Sequence, residues 1–489
     1  MGDTLPFLSQ SLARVLVFTT AAAVLVLEIL AGRLLAPYLG VSLEVFTGII
    51  GVVLAGISVG AWLGGRAADR GDPVKLVGPL LVSGGLSALA APIVVDLVGP
   101  AADSGPLGII ALTTVGFFLP AALLSAVSPV VVKIRLGSLD KTGSVVGSFS
   151  AIGTAGAIFG TFLTGFVLIA AFPTRPIVVG VGVALTIGGL GLWIGRRWWA
   201  SAGALTLAVA LGVTVTTSSG PCDYETTYHC AQIAIDPARS TGRILILDRG
   251  HNSYVDLVDP THLEFRYLQA MVDVIDVETP EGAIDVVSIG GGGFTLPRYL
   301  DATRPGTEHK VLEIDSLLVD IGRTDLGFED EAVVVIDDAR RSLKIVEPDS
   351  LDLVVGDAFS GLSVPWHLTT VEFVSEIAAR LRPDGIYTVN VIDYDPATFA
   401  RSASAALDVV FEHVAVVAPP GYFDGSQGGN YVLVGSNRPL DIPAIESGIL
   451  SRAGSEVLVT GDDLIRFIGD ASPLVDDFAP VDQMIDWRY

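Results

Sequence analysis

The chain has 489 residues, 51% of them hydrophobic, and a formal net charge of −24 at pH 7. That length holds more than one domain, and the acidic balance excludes a nucleic-acid binder, which needs a basic footprint. Of 29 Lys+Arg and 53 Asp+Glu, residues 1–217 carry 11 and 8, leaving 18 and 45 for the remainder.

Seven apolar stretches, near 13–35, 45–68, 74–98, 107–135, 144–172, 176–195 and 199–217, approach the ~20 residues that carry a helix across hydrocarbon. They predict a multi-span α-helical membrane domain over 1–217, with the lipid bilayer as its partner. The first stretch is too long for a cleavable signal and contains Glu28. In the fifth, Gly153, Gly156, Gly160 and Gly165 are interleaved with Ala and Ser, the pattern of closely packed helices. Glu28 and Arg33 are the costly residues. In or near hydrocarbon they call for a mutual ion pair, a polar site or, for Arg33, an interfacial position.

Basic residues gather after the second span (Arg66, Arg70, Lys75), the fourth (Lys133, Arg135, Lys141) and the sixth (Arg196, Arg197). Those loops are therefore expected in the cytoplasm, and seven spans then put everything after residue 217 outside. The two cysteines, Cys222 and Cys230, lie eight apart just beyond the last span. They fit a disulfide in an oxidising space, and no His/Cys set with zinc spacing accompanies them. The acid-rich second half, with Asp above Glu and Arg above Lys, reads as a solvated surface tolerated in brine, as in halophiles.

From residue 218 the pattern changes. Alternation over Ala231–Ile235, Gly242–Asp248 and Ser253–Leu257 predicts a small antiparallel β-sheet, followed by a helix over Leu263–Ile275. This subdomain is taken as 218–280. Over 281–489, strands are predicted at Asp285–Ile289, Lys310–Glu313, Ala332–Ile336, Leu351–Val355, Gly385–Val391, His413–Val417 and Tyr431–Gly435, with helices between. That order predicts an α/β Rossmann-like domain with a mostly parallel sheet and its ligand at the carboxyl ends of the strands.

The densest chemistry lies at those ends. The first of these strands runs into Gly290, Gly291, Gly292 and Gly293, a turn whose missing Cβ atoms let backbone N–H groups approach a nucleoside. Glu313, with Asp315 two residues on, is placed to accept from ribose hydroxyls, and Asp338 beside Ala339 from an adenine amino group. Asp357, after DLVVG, is placed to hold an amine or take its proton. Each acid alone reads as a helix cap; the spaced set reads as a site.

Taken together, DRGHNSYVDLVDPTHLEFRYLQAMV, VVSIGGGGFTLPRYL, VLEID, IDDARRSL, DLVVGDAFSGLSVPWHLTTVEF, LRPDGIYTVNV, PPGYFDGSQGGNYVLVGS and DDFAPVDQM resemble the spermidine synthase family of aminopropyltransferases. With EILAGRLLAPYLG, the whole chain resembles fused forms carrying such a domain behind a transporter-like helical bundle. The resemblance implies polyamine biosynthesis, with decarboxylated S-adenosylmethionine or S-adenosylmethionine as co-substrate, no metal, and an amine or lipid-like acceptor. It makes Asp357 the acid that orients and deprotonates the amine, and Tyr267 and Tyr422 walls of the acceptor channel. Family habit would keep this domain in the cytoplasm, against the charge placement.

The departures fall on the amine side. Family members carry GGGDGG at the turn, where this chain has Gly293 and Phe294. Ser360 replaces the second acid after Asp357, and Leu268 replaces a Gln or His. His251, His262 and His367 lie in matching stretches and read as structural. Two other functions compete: an S-adenosylmethionine-dependent methyltransferase, and a transporter or sensor whose appended domain binds a polyamine or nucleoside without chemistry. The second draws on GAWLGGRAADR (Gly60–Arg70), which resembles a transporter loop, and requires two copies of the chain, a homodimer, to make a complete bundle.

Overall fold

The computed structural model describes residues 8–103, 105–136, 142–193, 198–218, 220–329, 331–359 and 364–485. It contains two compact units, Met1–Cys230 and Ala231–Tyr489.

Among the described residues of the first unit, six helices are long and apolar enough to cross a membrane. They are Gln10–Leu39, Leu43–Arg70, Val74–Ala101, Pro106–Arg135, Thr142–Ala171 and Thr174–Trp193. The seventh predicted stretch forms a further apolar helix over Trp198–Thr217. The fourth and fifth helices each contain one π-helical turn, Thr114–Phe118 and Thr164–Leu168.

Small residues hold this bundle together. A Cβ on Gly156 would lie 2.2 Å from the Phe18 carbonyl oxygen, and one on Gly160 2.5 Å from that of Ala22. Gly60 and Gly64 press equally closely on Ala122 and Ala126. GAWLGGRAADR is therefore the end of a packed helix, not a loop, and its Asp69 is paired at 2.6 Å with Lys133. Arg33 does not pair with Glu28. Its guanidinium bonds Glu225 (3.2 Å), Thr174 Oγ1 (3.1 Å) and the Thr226 and Thr227 carbonyls. A second polar cluster joins Arg175 to Asp96 at 2.7 Å, with the Tyr38 hydroxyl donating to Asp96. Cys222 and Cys230 form a disulfide, Cα atoms 5.2 Å apart, next to a two-residue strand, β1 (Tyr224–Glu225).

The second unit begins with β2 (Cys230–Ile235), β3 (Gly242–Leu247) and β4 (Gly250–Asp256), paired antiparallel. The following helix is Arg266–Glu278, starting three residues later than the periodicity predicts because Phe265 is extended. Its face of Leu268, Met271, Val272 and Ile275 is buried.

The large sheet contains β5 (Asp285–Ile289), β6 (Glu308–Glu313), β7 (Val333–Ile336), β8 (Leu351–Gly356), β9 (Leu381–Asp393), β10 (His413–Ala418), β11 (Gly429–Ser436) and β12 (Val457–Thr460). Their order is β12-β10-β11-β9-β8-β5-β6-β7. Strands β7, β6, β5, β8 and β9 are parallel, whereas β9, β11, β10 and β12 are antiparallel neighbours. The antiparallel half differs from the mostly parallel sheet predicted. Strands β10 and β11 are joined by too short a segment for a parallel crossover, and β12 has no strong alternation in VLVT. Because β6 and β7 succeed β5 on one side while β8 returns on the other, the chain order reverses between β5 and β8. In open α/β sheets such a reversal is where ligands bind.

Candidate functional site at the strand ends

The parallel strands finish level with one another. Ile289 is opposite Leu312 and Gly356, and Glu313 is opposite Ile336. The glycine turn, Glu313 and Asp357 thus emerge from adjacent strands, roughly 5 Å apart from one to the next, with Asp338 two residues beyond the end of β7.

The turn is tight for stated reasons. Gly290 has φ +93°, and a Cβ there would lie 2.5 Å from the Asp357 carbonyl oxygen. Gly292 has φ +50°. The Gly291 amide donates to Glu313 Oε2 and the Asp315 amide to Glu313 Oε1, both at 2.8 Å. Two backbone amides therefore fix a buried carboxylate at the end of β6. Asp315 caps the helix Ser316–Asp325 through its Oδ1, and its buried Oδ2 has no hydrogen-bond partner among the described residues.

Both departures at the turn have a steric cause. The Gly293 amide donates to Ser253 Oγ of β4 at 2.8 Å, and a Cβ on Gly293 would lie 2.7 Å from Ser253 Cβ. No acid fits there while Ser253 is in place. Phe294 takes the left-handed conformation, φ +58°, that a glycine would take at no cost. Its ring is fully buried and stacked on Phe328 at 4.2 Å, which offsets the strain.

Asp338 caps the helix Ala339–Leu343, accepting from the Arg341 amide, and its Oδ2 contacts His367 Nε2 at 2.9 Å. Burial pushes this carboxyl up, but the hydrogen bonds from His367 and the backbone hold it below the usual carboxylate range. Ala339 itself is buried beneath it. His367 is thus paired, which sequence reasoning missed because 29 residues separate the partners. Arg340 steadies the same segment by bonding the His367 carbonyl oxygen (3.3 Å) and, through both terminal nitrogens, Asp476 at 2.7 Å.

The Asp357 carboxylate is held at both oxygens. Tyr267 donates its hydroxyl to Oδ2 at 3.0 Å, Asn390 donates to Oδ1 at 2.9 Å, and Asn430 donates to Asn390 Oδ1 at 3.0 Å. Burial raises the Asp357 pKa to about 6 despite both bonds. Burial and the neighbouring carboxylate push the Tyr267 phenol well above its ordinary value. Neither asparagine was singled out from the sequence. A signal was available for Asn390 alone, a polar residue at a buried position of β9; Asn430 is half-buried at the start of β11. Tyr422 lies at the same end of the sheet, its ring 5.2 Å from that of Tyr431, whose hydroxyl donates to the Tyr422 carbonyl oxygen. Leu268 faces the core. Ser360 lies outside the described residues. His262 bonds Glu264 and Arg239, away from these groups.

Comparison with known proteins gives the arrangement a context. Over 141 residues the chain is 27% identical to the polyamine aminopropyltransferase of Chromobacterium violaceum, a match spanning 28% of this chain and 53% of that protein. Spermidine synthase-like relatives cover the C-terminal half. The chain is also 30% identical over 142 residues to an N-terminal histidine N-methyltransferase of Emericella nidulans, covering 27% of this chain and 25% of that protein. A probable spermidine synthase from Corynebacterium glutamicum aligns at 27% identity with a TM-score of 0.49, covering 53% of this chain and 96% of that one. The chain spans about half the length of the curated aminopropyltransferase it matches. No family model matches.

Proposed function

We propose that the protein is a membrane-bound aminopropyltransferase-like enzyme. It moves an aminopropyl or related group from decarboxylated S-adenosylmethionine, or a related sulfonium nucleoside, to an amine or lipid-like acceptor. The observation that carries this reading is the Asp357 carboxylate, held by Tyr267 and Asn390 at the chain reversal beside the glycine turn. The relatives named above support a transferase of this type, and the six long apolar helices support a membrane seat.

In the proposed step the neutral amine nitrogen attacks the carbon bound to the sulfonium sulfur. The C–N bond forms as C–S breaks, the electron pair goes to sulfur as a neutral thioether, and the nitrogen's proton passes to Asp357. The leaving group needs no further activation, so the protein supplies alignment and a proton acceptor. Glu313 and Asp315 would hold the ribose, Asp338 with His367 the adenine side, and Tyr267 and Tyr422 would flank the acceptor. With Gly293 and Leu268 lacking the usual polar groups, the acceptor carries less positive charge than a short diamine.

Methyl transfer is the second reading, favoured by the Emericella match. Intact protein incubated with membrane extract and donor labelled in either the methyl or the aminopropyl carbons separates the two. Aminopropyl label in an acceptor supports the first reading, methyl label alone replaces it with the second, and binding without transfer of either leaves a non-catalytic domain. The Cys222–Cys230 disulfide supports an oxidising space for the segment after the helices. Accessibility of a carboxyl-terminal tag to an impermeant reagent in whole cells tests that side.

A further inference from the structure

A cavity of about 350 Å³ follows the carboxyl end of β9, and neither the glycine turn nor Asp357 contributes to its lining. Its polar wall is built on Arg401, in the first turn of the helix Thr398–Val410. The guanidinium carbon sits 5.5 Å from the centre of the Phe467 ring. Arg401 Nε is buried without a hydrogen-bond partner, and the guanidinium makes no ion pair among the described residues. The nearby Asp393 carboxylate accepts from the Tyr394 and Ala400 amides; it lies close enough to feel the Arg401 charge, but no hydrogen bond or ion pair joins the two among the described residues. Asp470 lines the cavity from an exposed position and does not pair with Arg401.

A planar fork of donors left open in a concavity is matched by a carboxylate or phosphate. The remaining wall is suited to a carbon skeleton, with Leu474, Phe478 and Met484 beside the hydroxyl of Ser402. Phe478 is 71% exposed, an apolar surface that an occupant would cover. The volume lies at the small end of the ~300–1,000 Å³ typical of ligand sites. We propose that this cavity is a second binding site, for a small molecule bearing one carboxylate or phosphate on a compact apolar body.

The test uses the full chain in uncharged detergent and three fluorinated probes observed by fluorine NMR: 4-fluorophenylacetate, 4-fluorophenyl phosphate and the neutral 4-fluorophenylacetamide. Expected is line broadening of at least one anion but not the amide, unchanged in Asp357→Asn and weakened at least tenfold in Arg401→Gln at an unaltered melting temperature. The tighter of the two anions names the group. Arg401→Lys, which keeps the charge and loses the fork, is expected to bind with intermediate affinity. If Arg401→Gln does not fold, the Lys variant and the acid-against-amide comparison decide. Equal binding of amide and acid, undiminished binding by folded Arg401→Gln, or no binding of either anion at millimolar concentration would overturn the proposal.

Discussion

Glycines serve opposite purposes in the two units. In the helical unit Gly60, Gly64, Gly156 and Gly160 are places where one backbone lies against another, and a methyl group would meet a carbonyl oxygen at 2.0–2.5 Å. In the second unit Gly290 and Gly292 are needed for their positive φ, and the closeness to Asp357 follows from the turn. The first set serves packing, the second a tight turn at the end of β5. The same residue type therefore carries functional information only where backbone conformation demands it.

The largest expected effect tests the packing side of this contrast. Gly160→Leu should destabilise the helical unit by about 3 kcal/mol or more, since overpacking against backbone cannot relax. Thermal unfolding in detergent checks it, and a donor affinity unchanged by calorimetry would keep the two roles separate. Gly290→Ala should act the other way round, weakening donor binding about a hundredfold. It combines a φ unsuited to alanine with a contact to the Asp357 backbone. Should it bind donor normally, the turn is not part of the site. His367→Ala, which strips a charge-assisted bond from Asp338, should weaken donor binding about tenfold, read by the same calorimetry.

A subtler effect concerns pH and stability. The Asp357 pKa is raised to about 6 from a reference of 3.8, so its neutral form stabilises the fold below about pH 4. That contribution is lost as pH rises through 6. Asp357→Asn, which imitates the neutral acid, should match the wild type near pH 4 and be more stable at pH 8, by up to about 3 kcal/mol. Denaturant unfolding at the two pH values measures the difference. A site that costs stability where its carboxylate ionises is a signature of function rather than packing.

Much of the second unit could be read from residue patterns. Period and spacing predict the strand Asp285–Ile289 with its observed bounds, and put Glu313 and Asp357 at the ends of the two strands that flank it. What escaped was whatever depends on partners far apart in the chain. His367 reaches Asp338, Asn390 and Asn430 reach Asp357, and Ser253 fills the space an acid would need at Gly293. Strand direction also escaped, since alternation in β10 and β11 is the same whichever way they run. In the helical unit, hydropathy located the apolar stretches but not the partner of Arg33, which lies at Glu225, nearly 200 residues away.

The central claim is that Asp357, with its raised pKa, takes the proton released as the acceptor attacks. The direct measurement is the pH dependence of kcat/KM for label transfer by the full chain, wild type against Asp357→Asn, with donor affinity determined in parallel. The account predicts an acid limb with a midpoint near 6 in the wild type. In the variant it predicts a loss of about 10²–10⁴-fold in rate, no such limb, and donor affinity retained. A variant that transfers label at the wild-type rate with the same acid limb would contradict it.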